Sequence, residues 1–480
     1  MARKHMQITI VGSGYVGLVA AACFAELQHD VLCVDRDASK IEALRKGHCI
    51  IHERHLPELL RKHVGQRLRF STNLEEATRE SEVFFIAVGT PSSPTGAHDL
   101  TQVESVVREL APMLQDGHRL VVCKSTVPAG TTSWIGRTLL VSGAAQGCFD
   151  VAFNPEFLRE GTAVSDFLYP DRIVVGAATE RAHKILAELY RPLVDGSYMQ
   201  SPDRVDTPAH SAPDFLATSA ESAEIIKNAS NAFLAMKISF INAVANLCER
   251  IGADVEEVKR GIGSDRRIGN KFLNPGIGYG GSCFPKDVAA FQEMAEQVGV
   301  DFSLLNSLTQ INENQRTTFV SKVRLALGAL RGKRLAALGL AYKGGTDDIR
   351  ESPAIAILKQ LLAEGCSITS FDPAANEHSR PLFGGDAIEF ASDAYGTMRG
   401  ADALVILTDW KEFAQLDLRR VRNLLRNPLV VDGRNLYTPK QVAEAGLYYH
   451  SVGRRTAVPA GARAELPQTV PARAARQLAY

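Results

Sequence analysis

One cysteine in this sequence has surroundings suited to covalent chemistry. Cys283 stands in GYGGSCFPKD (278–287), where three glycines and a serine precede it and Lys286 follows it closely. A thiol has an unperturbed pKa of about 8.5, so only a few per cent is thiolate at neutral pH. Ser282 is suited to cap a helix, and Pro285 favours its first turn. A helix start and a nearby lysine both stabilise a thiolate, so the motif predicts an accessible, activated nucleophile.

Three other stretches carry residues that could serve such a nucleophile. Glu156, in NPEFLREGTA (154–163), could activate water as a general base. Lys227 and Asn231 are four residues apart in a helical segment and share a face, on which they could hold an oxyanion or a sugar hydroxyl. Thr126 follows a strand-like run, at the edge where doubly wound sheets bind ligands. The competing interpretation is structural: an inert thiol, a solvated charged turn, a surface lysine and a helix–helix hydrogen bond.

A dinucleotide fingerprint stands near the N-terminus. Gly12, Gly14 and Gly17 form G-x-G-x-x-G between a strand pattern and a helical pattern, which suits a tight turn around a pyrophosphate. Asp35 ends the next strand pattern, 18 residues after Gly17. A carboxylate at this place binds ribose hydroxyls and repels a 2′-phosphate, so NAD is favoured over NADP. The neighbouring Arg36 weakens this preference, because an arginine there could bind the 2′-phosphate.

Two series of short apolar runs would position these residues. Continuous β-rich runs of this kind are typical of strands buried on both faces of a parallel sheet. The runs span residues 8–14, 30–35, 82–90 and 119–126 in the first half and 334–344, 367–373, 403–410 and 429–435 in the second. Between the two series, residues 221–252 lack proline and predict one long buried helix.

We therefore expect an α/β protein with two Rossmann-like, doubly wound parallel-sheet domains, joined by a long central helix and a helical dimerisation region. The expected domains are an NAD-binding domain (1–205), a helical domain (206–325), a C-terminal Rossmann-like domain that binds the substrate (326–455) and a flexible tail (456–480). Residues 198–214, rich in Pro, Ser and Asp, predict a surface loop.

The composition indicates which kinds of partner to expect and in which cellular compartment the protein works. The 480 residues contain 54 Lys and Arg against 54 Asp and Glu, which gives no reason to expect nucleic acid or an anionic membrane as a partner. The N-terminal segment passes straight into a strand pattern, without the apolar region of a signal peptide. Eight irregularly spaced cysteines, none in a CxxC pair, favour reduced thiols in the cytoplasm and no structural metal site.

Many motifs together resemble the UDP-glucose/GDP-mannose dehydrogenase family, from about Gln7 to about Arg454. They are GSGYVGL, VGTP, KSTVPAGT, NPEFLREGTA, KNASNAFLAMKISFIN, RIGNKFLNPGIGYGGSCFPKD, LGLAYKGGTDDIRESPA and DGRN. Phe284 in GGSCFPKD resembles the UDP-glucose branch. The resemblance implies two successive oxidations at C6 that convert UDP-glucose to UDP-glucuronate, with two NAD and one water consumed, in a homodimer or higher homo-oligomer. GDP-mannose and UDP-N-acetyl sugars are the alternative substrates.

The resemblance also implies roles for individual residues. Cys283 would carry the thiohemiacetal and thioester, while Asp287 would assist proton transfers. Lys227 and Asn231 would stabilise oxyanions, Glu156 would activate water, and Thr126 would help to hold that water. The residues implied in NAD binding are Val11, Gly12, Gly14, Gly17, Asp35, Lys40, Thr90, Thr126, Glu160, Lys286 and Arg350. Those implied in binding the UDP-sugar are Glu156, Phe157, Leu158, Arg159, Glu160, Lys227, Asn231, Arg267, Phe272, Leu273, Asn274, Pro275, Gly276, Gly280, Lys343 and Arg434.

Three stretches depart from the family pattern. The sequence HERH (52–55) stands where the family often has YEPG, and the retained Glu53 has no assigned role. The loop at 198–214 is longer than in many members, and the tail after Arg454 lies outside the resemblance. A nucleotide-sugar-binding protein without catalytic activity is the third alternative, disfavoured because every residue expected for the chemistry is present.

Overall fold

The computed structural model describes residues 5–78, 81–207, 211–384 and 387–459. The chain divides into two compact units. The first runs to Asn231 and also contains Lys286–Phe302, whereas the second contains Ala232–Pro285 and the chain from Ser303 onward. The division into the four predicted segments stays a prediction.

Strands of the described residues form one sheet in each unit. The first sheet contains β1 (Gln7–Val11), β2 (Asp30–Val34), β3 (Leu68–Ser71), β4 (Val83–Ile86), β5 (Arg119–Cys123), β6 (Phe149–Phe153), β7 (Arg172–Ala177) and β8 (Asp214–Thr218). The second contains β9 (Arg334–Leu338), β10 (Ser367–Phe371), β11 (Ile388–Phe390), β12 (Ala403–Ile406), β13 (Leu429–Asp432) and β14 (Tyr448–His450).

Helices connect most of these strands. Those of the chain up to Ile251 are α1 (Tyr15–Glu26), α2 (Ala38–Arg45), α3 (Leu56–His63), α4 (Glu75–Thr78), α5 (Thr101–Leu110), α6 (Thr131–Val141), α7 (Ala163–Leu168), α8 (Glu180–Leu189), α9 (Arg191–Val194) and α10 (Ala220–Ile251). The later ones are α11 (Val255–Gly263), α12 (Phe284–Gln297), α13 (Ser303–Leu327), α14 (Pro353–Ala363), α15 (Asn376–Ser379), α16 (Ala394–Met398), α17 (Leu418–Leu424) and α18 (Pro439–Glu444). Short 3₁₀ turns lie at Ala111–Met113, Tyr198–Gln200, Arg380–Phe383 and Phe413–Gln415.

Both sheets have the doubly wound strand order. The first runs β3-β2-β1-β4-β5-β6-β7-β8 and the second β11-β10-β9-β12-β13-β14. Six strands of each therefore follow the 3-2-1-4-5-6 order of dinucleotide-binding folds. The pairing is parallel except between β6 and β7, which are antiparallel. The predicted α/β class with two doubly wound sheets is confirmed.

In the first sheet, successive residues of one strand enter two different cores. Val83 and Phe85 of β4 belong to a core that contains Phe24 of α1, and the rings of Phe24 and Phe85 lie 5.2 Å apart. Phe84 and Ile86, also of β4, pack instead with residues of α5 and α6. Because side chains alternate along a strand, these are the two faces of the sheet. Burial on both faces explains why its strands are uninterrupted apolar runs.

The second sheet is built in the same way. Leu335 and Ala337 of β9 share a core with residues of α13 and α14. The intervening Ala336 and the following Leu338 pack with residues of α16, α17 and α18. Helices thus cover both faces of this sheet as well, which is the arrangement that the apolar runs of the second half predict.

Six strands of the described residues are not predicted from the sequence: β3, β6, β7, β8, β11 and β14. Of these, β7 is an apolar run buried from Ile173 to Ala177, whereas β8, β11 and β14 have weaker apolar patterns. In β8, Phe215 and Thr218 are half-buried, while Asp214, Leu216 and Ala217 are exposed. The strands β11 and β14 have only three residues each. Short or exposed edge strands bury little apolar surface, so periodicity does not reveal them.

The central helix α10 spans 32 residues and confirms the predicted long helix. Among the described helices it alone is long and apolar enough to cross a membrane by length and composition. Its first turns nevertheless carry Glu224, Lys227, Asn228 and Asn231, all buried and hydrogen-bonded within the first unit. These polar contacts identify α10 as a core helix of the protein.

Two segments predicted as irregular are partly tied to the fold. In the predicted surface loop, Val205 donates its N–H to the Tyr198 hydroxyl (2.9 Å) and accepts from the Tyr169 hydroxyl (2.6 Å). At the start of the predicted flexible tail, Ala457 exchanges two backbone hydrogen bonds of 3.0 Å with Tyr449. Ala457 is therefore paired with the second unit at the start of the predicted tail. Residues 208–210 and 460–480 lie outside the described part of the chain.

Candidate active site

The turn between β1 and α1 has the shape that the glycine fingerprint predicts. Gly12 has a φ of +106°, a conformation that favours glycine. A Cβ on Gly17 would lie 1.9 Å from the Gly12 carbonyl oxygen, so only glycine lets the helix pack so closely against the strand. A Cβ on Gly14 would meet no atom within 4 Å. The open side at Gly14 is where a pyrophosphate can approach the start of α1.

Asp35 stands at the end of β2 and is hydrogen-bonded to the same turn. Its Oδ2 accepts from the Ser13 N–H and hydroxyl, both at 2.7 Å, and its Oδ1 accepts from the Asp37 N–H at 3.0 Å. Burial opposes the charged form, but these hydrogen bonds outweigh it and hold the pKa of Asp35 below its ordinary value. The site therefore presents a carboxylate beside the phosphate turn, as ribose binding requires. Arg36 is exposed.

The other residues implied in NAD binding lie in several places. Thr90 follows β4 and donates its hydroxyl to the Thr126 carbonyl oxygen at 2.8 Å, so these two predicted residues are joined. Val11 is buried in β1, Glu160 is half-buried, and Lys40 is exposed with its Nζ 4.0 Å from the Asp37 carboxylate. Lys286 belongs to the first unit and Arg350 to the second, where its exposed guanidinium binds the Asp348 carboxylate at 2.8 Å.

A buried ion pair joins two of the predicted catalytic residues. The Lys227 Nζ donates to the Glu156 Oε1 at 2.7 Å and to the Glu156 carbonyl oxygen at 2.8 Å. Only 3% of the lysine side chain and 6% of the glutamate side chain are exposed. The Glu156 Oε2 accepts from the Leu158 N–H at 2.6 Å. The sequence-predicted base and oxyanion-binding lysine are thus in direct contact.

A second buried group lies around Asp287, in the first turn of α12. The Asn231 Nδ2 donates to the Asp287 Oδ2 at 2.6 Å, and the Lys286 Nζ donates to the Oδ1 at 2.5 Å. The Asp287 side chain is 1% exposed. Because Asn231 and Lys227 are one turn apart on α10, the same helix supplies a donor to Asp287 and to Glu156.

The loop that follows β6 carries the remaining predicted residues of the first unit. Phe157 lies under the Arg172 guanidinium, whose Cζ is 3.8 Å from the ring centroid. Leu158 is half-buried, and the exposed Arg159 binds the Asp166 carboxylate at 2.5 Å. The predicted role of Arg159 in binding the sugar nucleotide stays a prediction.

Sequence reasoning missed Lys124, a fully enclosed lysine at the end of β5. Its Nζ donates to the Asn154 Oδ1 at 2.9 Å, and the Tyr190 hydroxyl donates to the same oxygen at 2.6 Å. Burial lowers the pKa of Lys124 to about 8; Glu156 opposes this shift and Lys227 adds to it. The lysine precedes Ser125 and Thr126 in KSTVPAG, and no apolar period marks it as buried.

The lowered pKa of Lys124 predicts a pH dependence of stability. The unfolded chain, with a lysine pKa of about 10.4, binds more protons than the folded chain above about pH 8, so the free energy of unfolding rises with pH in this window. We expect the wild type to gain up to about 1.4 kcal/mol per pH unit relative to Lys124→Met. Urea titrations from pH 7 to pH 10 measure this. A constant difference between the two proteins would contradict it, and the exposed Lys184→Met serves as a control.

Two further buried carboxylates, not predicted from the sequence, position these groups. Glu224 of α10 accepts from the Gly130 N–H (2.6 Å), the Thr132 N–H (2.7 Å) and the Thr132 hydroxyl (2.6 Å), at the start of α6. Burial raises its pKa despite these bonds. Glu53 lies in HERH (52–55), the segment that differs from the family pattern. It accepts hydrogen bonds from the Tyr15 hydroxyl and from the Gly161 N–H. Glu53 ties the phosphate-turn helix to the loop after Glu160, and Glu224 ties α10 to the start of α6.

In the second unit, Cys283 lies directly before α12, whose first turn contains Pro285 as predicted. The thiol is half-buried, with its Sγ 3.5 Å from the Ser282 hydroxyl. The glycines before Cys283 are also required by close packing, in addition to leaving room for a substrate. A Cβ on Gly280 would lie 2.2 Å from the Glu351 carbonyl oxygen, and one on Gly281 would lie 2.8 Å from the Tyr342 ring.

Part of the predicted UDP-sugar segment is held by α10 and α13. The Gly276 N–H donates to the Asn242 Oδ1 at 2.8 Å, and its carbonyl accepts from the Gln315 Nε2 at 2.7 Å. Phe272 has a φ of +61°, which is uncommon for a bulky residue. Leu273 and Pro275 are buried and Asn274 is exposed. The segment is thus a fixed, irregular stretch of backbone.

The three cations of this unit that the resemblance implies in substrate binding differ in their surroundings. Arg434 donates to the carbonyl oxygens of Leu407 and Tyr342, both at 2.8 Å, and a Cβ on Gly276 would come 3.4 Å from its Nη1. The Lys343 Nζ lies 5.5 Å from the Tyr342 ring centroid. The side chain of Arg267 is 89% exposed and binds Asp265. Arg434 therefore adjoins the predicted substrate segment, while Arg267 is directed to the surface.

Comparisons with known proteins agree with this architecture. Residues 6–194 match the UDP-glucose/GDP-mannose dehydrogenase family, NAD binding domain. Residues 221–314 match the central domain of that family, and residues 336–439 match its UDP binding domain.

Individual proteins with similar sequences and structures carry related names. A UDP-glucose 6-dehydrogenase from Rhizobium meliloti is 45% identical over 455 residues, which are 94% of this chain and 100% of that protein. UDP-glucose 6-dehydrogenase TuaD from Bacillus subtilis is 42% identical over 93% of both chains. The solved UDP-glucose dehydrogenase from Pyrobaculum islandicum is 37% identical, with a TM-score of 0.84 over 94% of this chain and 99% of that one. The chain thus belongs to the UDP-glucose/GDP-mannose dehydrogenase family and contains its NAD-binding domain.

Proposed function

We propose that this protein oxidises UDP-glucose to UDP-glucuronate, consuming two NAD and one water per sugar. One structural observation carries the proposal: the first unit places two buried donor–carboxylate pairs, Lys227–Glu156 and Asn231–Asp287, on one face of α10. Relatives at 42–45% identity over more than nine-tenths of the chain are named UDP-glucose 6-dehydrogenases, which supports this substrate.

The phosphate turn and Asp35 fit NAD. Gly14 leaves its surroundings open, Gly12 and Gly17 allow the close turn, and the Asp35 carboxylate can accept ribose hydroxyls. When bound, NAD accepts the hydride in each of the two oxidations. The protein must then bind the sugar, hold its C6 carbon in place and move protons.

In the proposed first oxidation, the C6 hydroxyl loses a proton and a hydride to become an aldehyde. Asp287 assists the proton transfer in its ionised form. The donors Asn231 and Lys286 stabilise that form within a site that is closed to water. The Lys227 ammonium offers a positive charge to the oxygen that develops negative charge.

Covalent chemistry on Cys283 then completes the proposed reaction. The thiolate adds to the aldehyde carbon, and the resulting thiohemiacetal keeps the aldehyde attached while NADH leaves and a second NAD binds. Loss of its C6 hydride and hydroxyl proton gives a thioester. Water attacks the thioester carbonyl, Glu156 accepts a proton from that water, and the carbon–sulfur bond breaks to release the uronate and the thiolate. Thr126 helps to hold the water.

The ratio of NADH to product tests this scheme. Purified protein given UDP-glucose should form two NADH per uronate, without released aldehyde. A panel with GDP-mannose, UDP-N-acetylmannosamine and UDP-N-acetylglucosamine should give lower kcat/KM values than UDP-glucose. A solved UDP-D-ManNAc dehydrogenase from Pyrococcus horikoshii, 28% identical with a TM-score of 0.79, makes the N-acetyl sugar the second candidate. One NADH per sugar with accumulating aldehyde would refute the thioester step, and binding without turnover would indicate a non-catalytic protein.

Asp35 is expected to decide between NAD and NADP. Removing the carboxylate in Asp35→Ser removes a charge repulsion of about 1–4 kcal/mol against a 2′-phosphate, so the ratio of kcat/KM for NADP to that for NAD should rise about tenfold or more. The neighbouring Asp37→Ser, which removes a nearby carboxylate and keeps a side chain able to cap α2, is the matched control. An unchanged cofactor ratio in Asp35→Ser would contradict this role.

The proposed oligomer is a homodimer or a higher homo-oligomer in the cytoplasm. In support, α10 exposes Phe233, Phe240 and Leu247, which are 58%, 54% and 56% exposed and stand seven residues apart on one face. An exposed apolar stripe of this kind fits a second copy of the same helix. Sedimentation of the wild type should give at least a dimer, and Phe240→Glu should shift it toward the monomer. A monomeric wild type would contradict the proposal.

A further inference from the structure

His98 lies in a well-defined turn of the first unit, between β4 and α5. The turn is closed by an antiparallel bridge between Ser92 and His98 and by a hydrogen bond from the Ser93 N–H to the Ala97 carbonyl at 2.8 Å. At its tip, a Cβ on Gly96 would be 3.5 Å from the Ala289 Cβ of α12. The backbone of His98 is therefore fixed against the helix that carries Asp287.

The imidazole of His98 is buried without a hydrogen bond of its own. Its side chain is 0% exposed, and within the described part of the chain neither ring nitrogen has a partner in hydrogen-bonding geometry, although the Thr90 backbone faces the ring. The Nε2 lies 4.0 Å from the Asp287 Oδ1. Leaving a buried donor unpaired costs about 1–3 kcal/mol, so we expect this ring to have a functional role.

The charges around His98 keep it neutral. Burial and the Lys286 ammonium lower its pKa to about 4, while the Asp287 carboxylate opposes the shift. Asp287 itself is contacted by Lys286 from α12 and by Asn231 from α10, and Lys227 stands one turn before Asn231. At neutral pH a neutral imidazole thus faces a carboxylate that already accepts two hydrogen bonds.

We propose that His98 is a positioning residue that donates its Nε2–H to the ionised Asp287 and thereby stabilises the carboxylate that assists the proton transfer. A small rotation of the ring closes the 4.0 Å separation to the usual 2.7–3.2 Å of such a bond. No proton leaves the imidazole in this step. The inference rests on the proposed function of Asp287 in proton transfer and assigns a further residue to it.

The kinetic test is the pH profile of kcat in three variants. A donor to a carboxylate stabilises its charged form, so the apolar His98→Leu should destabilise the Asp287 carboxylate and move the acid limb of kcat upward by about one pH unit. Turnover below that limb should fall up to about tenfold. His98→Gln retains an N–H donor and should keep the wild-type limb. An unmoved limb in His98→Leu, or equal shifts in both variants, would overturn the proposal.

A second His–Asp pair of the first unit, which is less deeply buried, supplies a matched control. The His118 Nε2 lies 3.0 Å from the Asp150 Oδ2, at the start of β5, and neither residue is assigned to the site. His118→Leu removes a similar contact, so it reports the general cost of losing a histidine. It should leave the acid limb of the kcat profile in place.

A second readout does not depend on turnover. With histidine labelled at ¹³Cε1, the resonance of His98, assigned by its absence in His98→Gln, should shift in Asp287→Asn and stay in place in Asp150→Asn. An unshifted resonance would overturn the contact. If the wild type fails to oxidise any sugar nucleotide, the proposed function of the protein fails, while this measurement still decides whether His98 binds Asp287.

Discussion

Replacing Cys283 by serine is expected to abolish uronate formation while leaving UDP-glucose binding intact. A serine hydroxyl at neutral pH is a far weaker nucleophile than a thiolate, and its ester is a poorer acyl donor than a thioester. We expect the rate of uronate formation to fall by about 10³-fold or more, with NADH no longer formed at two per sugar. Coupled measurements of NADH, aldehyde and uronate test this directly.

The control for this variant is Cys148→Ser. Cys148 is also half-buried but lies at the surface of the first unit, where its Sγ is 3.4 Å from the Gln115 carbonyl oxygen. The Cys148→Ser variant should retain the wild-type rate of uronate formation and two NADH per uronate. Wild-type uronate formation by Cys283→Ser would remove the covalent step from the mechanism and leave direct hydration of the aldehyde in its place.

Lys227→Met is expected to lose both stability and activity, and a second substitution separates the two. Removing the lysine leaves the Glu156 carboxylate buried without its counter-ion, which costs about 3–5 kcal/mol. In Lys227→Met/Glu156→Gln the buried charge is gone, so much of the free energy of unfolding should return. Turnover should not return, because neither the ammonium nor the base is present.

Urea unfolding and initial rates of the two single variants and the double variant give the measurement. The exposed pair Lys184–Glu180 supplies the control, since Lys184→Met should leave both stability and turnover close to wild type. If the double variant remains as unstable as Lys227→Met, the loss arises from packing and not from an unpaired charge. If it regains turnover, Lys227 and Glu156 have no role in the chemistry.

The doubly wound fold was predictable because its central strands are apolar on both faces. Phe84 and Phe85 enter opposite cores, so the run EVFFIAVGT has no polar interruption. The exposed β8 and the three-residue β11 and β14 bury too little to leave a pattern. Their places depend on pairing with strands distant in the sequence.

The sequence also predicted only part of the candidate site: the residues marked by motifs and helical spacing were found, and those buried by tertiary packing were not. Spacing placed Lys227 and Asn231 on one helical face, and each is found bonded to a carboxylate that the motifs had singled out. Lys124 and His98 were missed because burial of a polar side chain is decided by tertiary packing. A lysine after an apolar strand or a histidine in a turn is more often solvated, so the sequence gives no signal for either.

The first unit is assembled from two separated pieces of chain, since Lys286–Phe302 joins residues that end at Asn231. During translation, Asn231 leaves the ribosome well before Asp287, its hydrogen-bond partner 56 positions later. A nascent chain that stops at Asn231 can complete the phosphate turn, but not the carboxylate cluster. Excision of this unit as a stand-alone fragment must therefore splice both pieces together, because a simple truncation discards the aspartate with the helix that carries it.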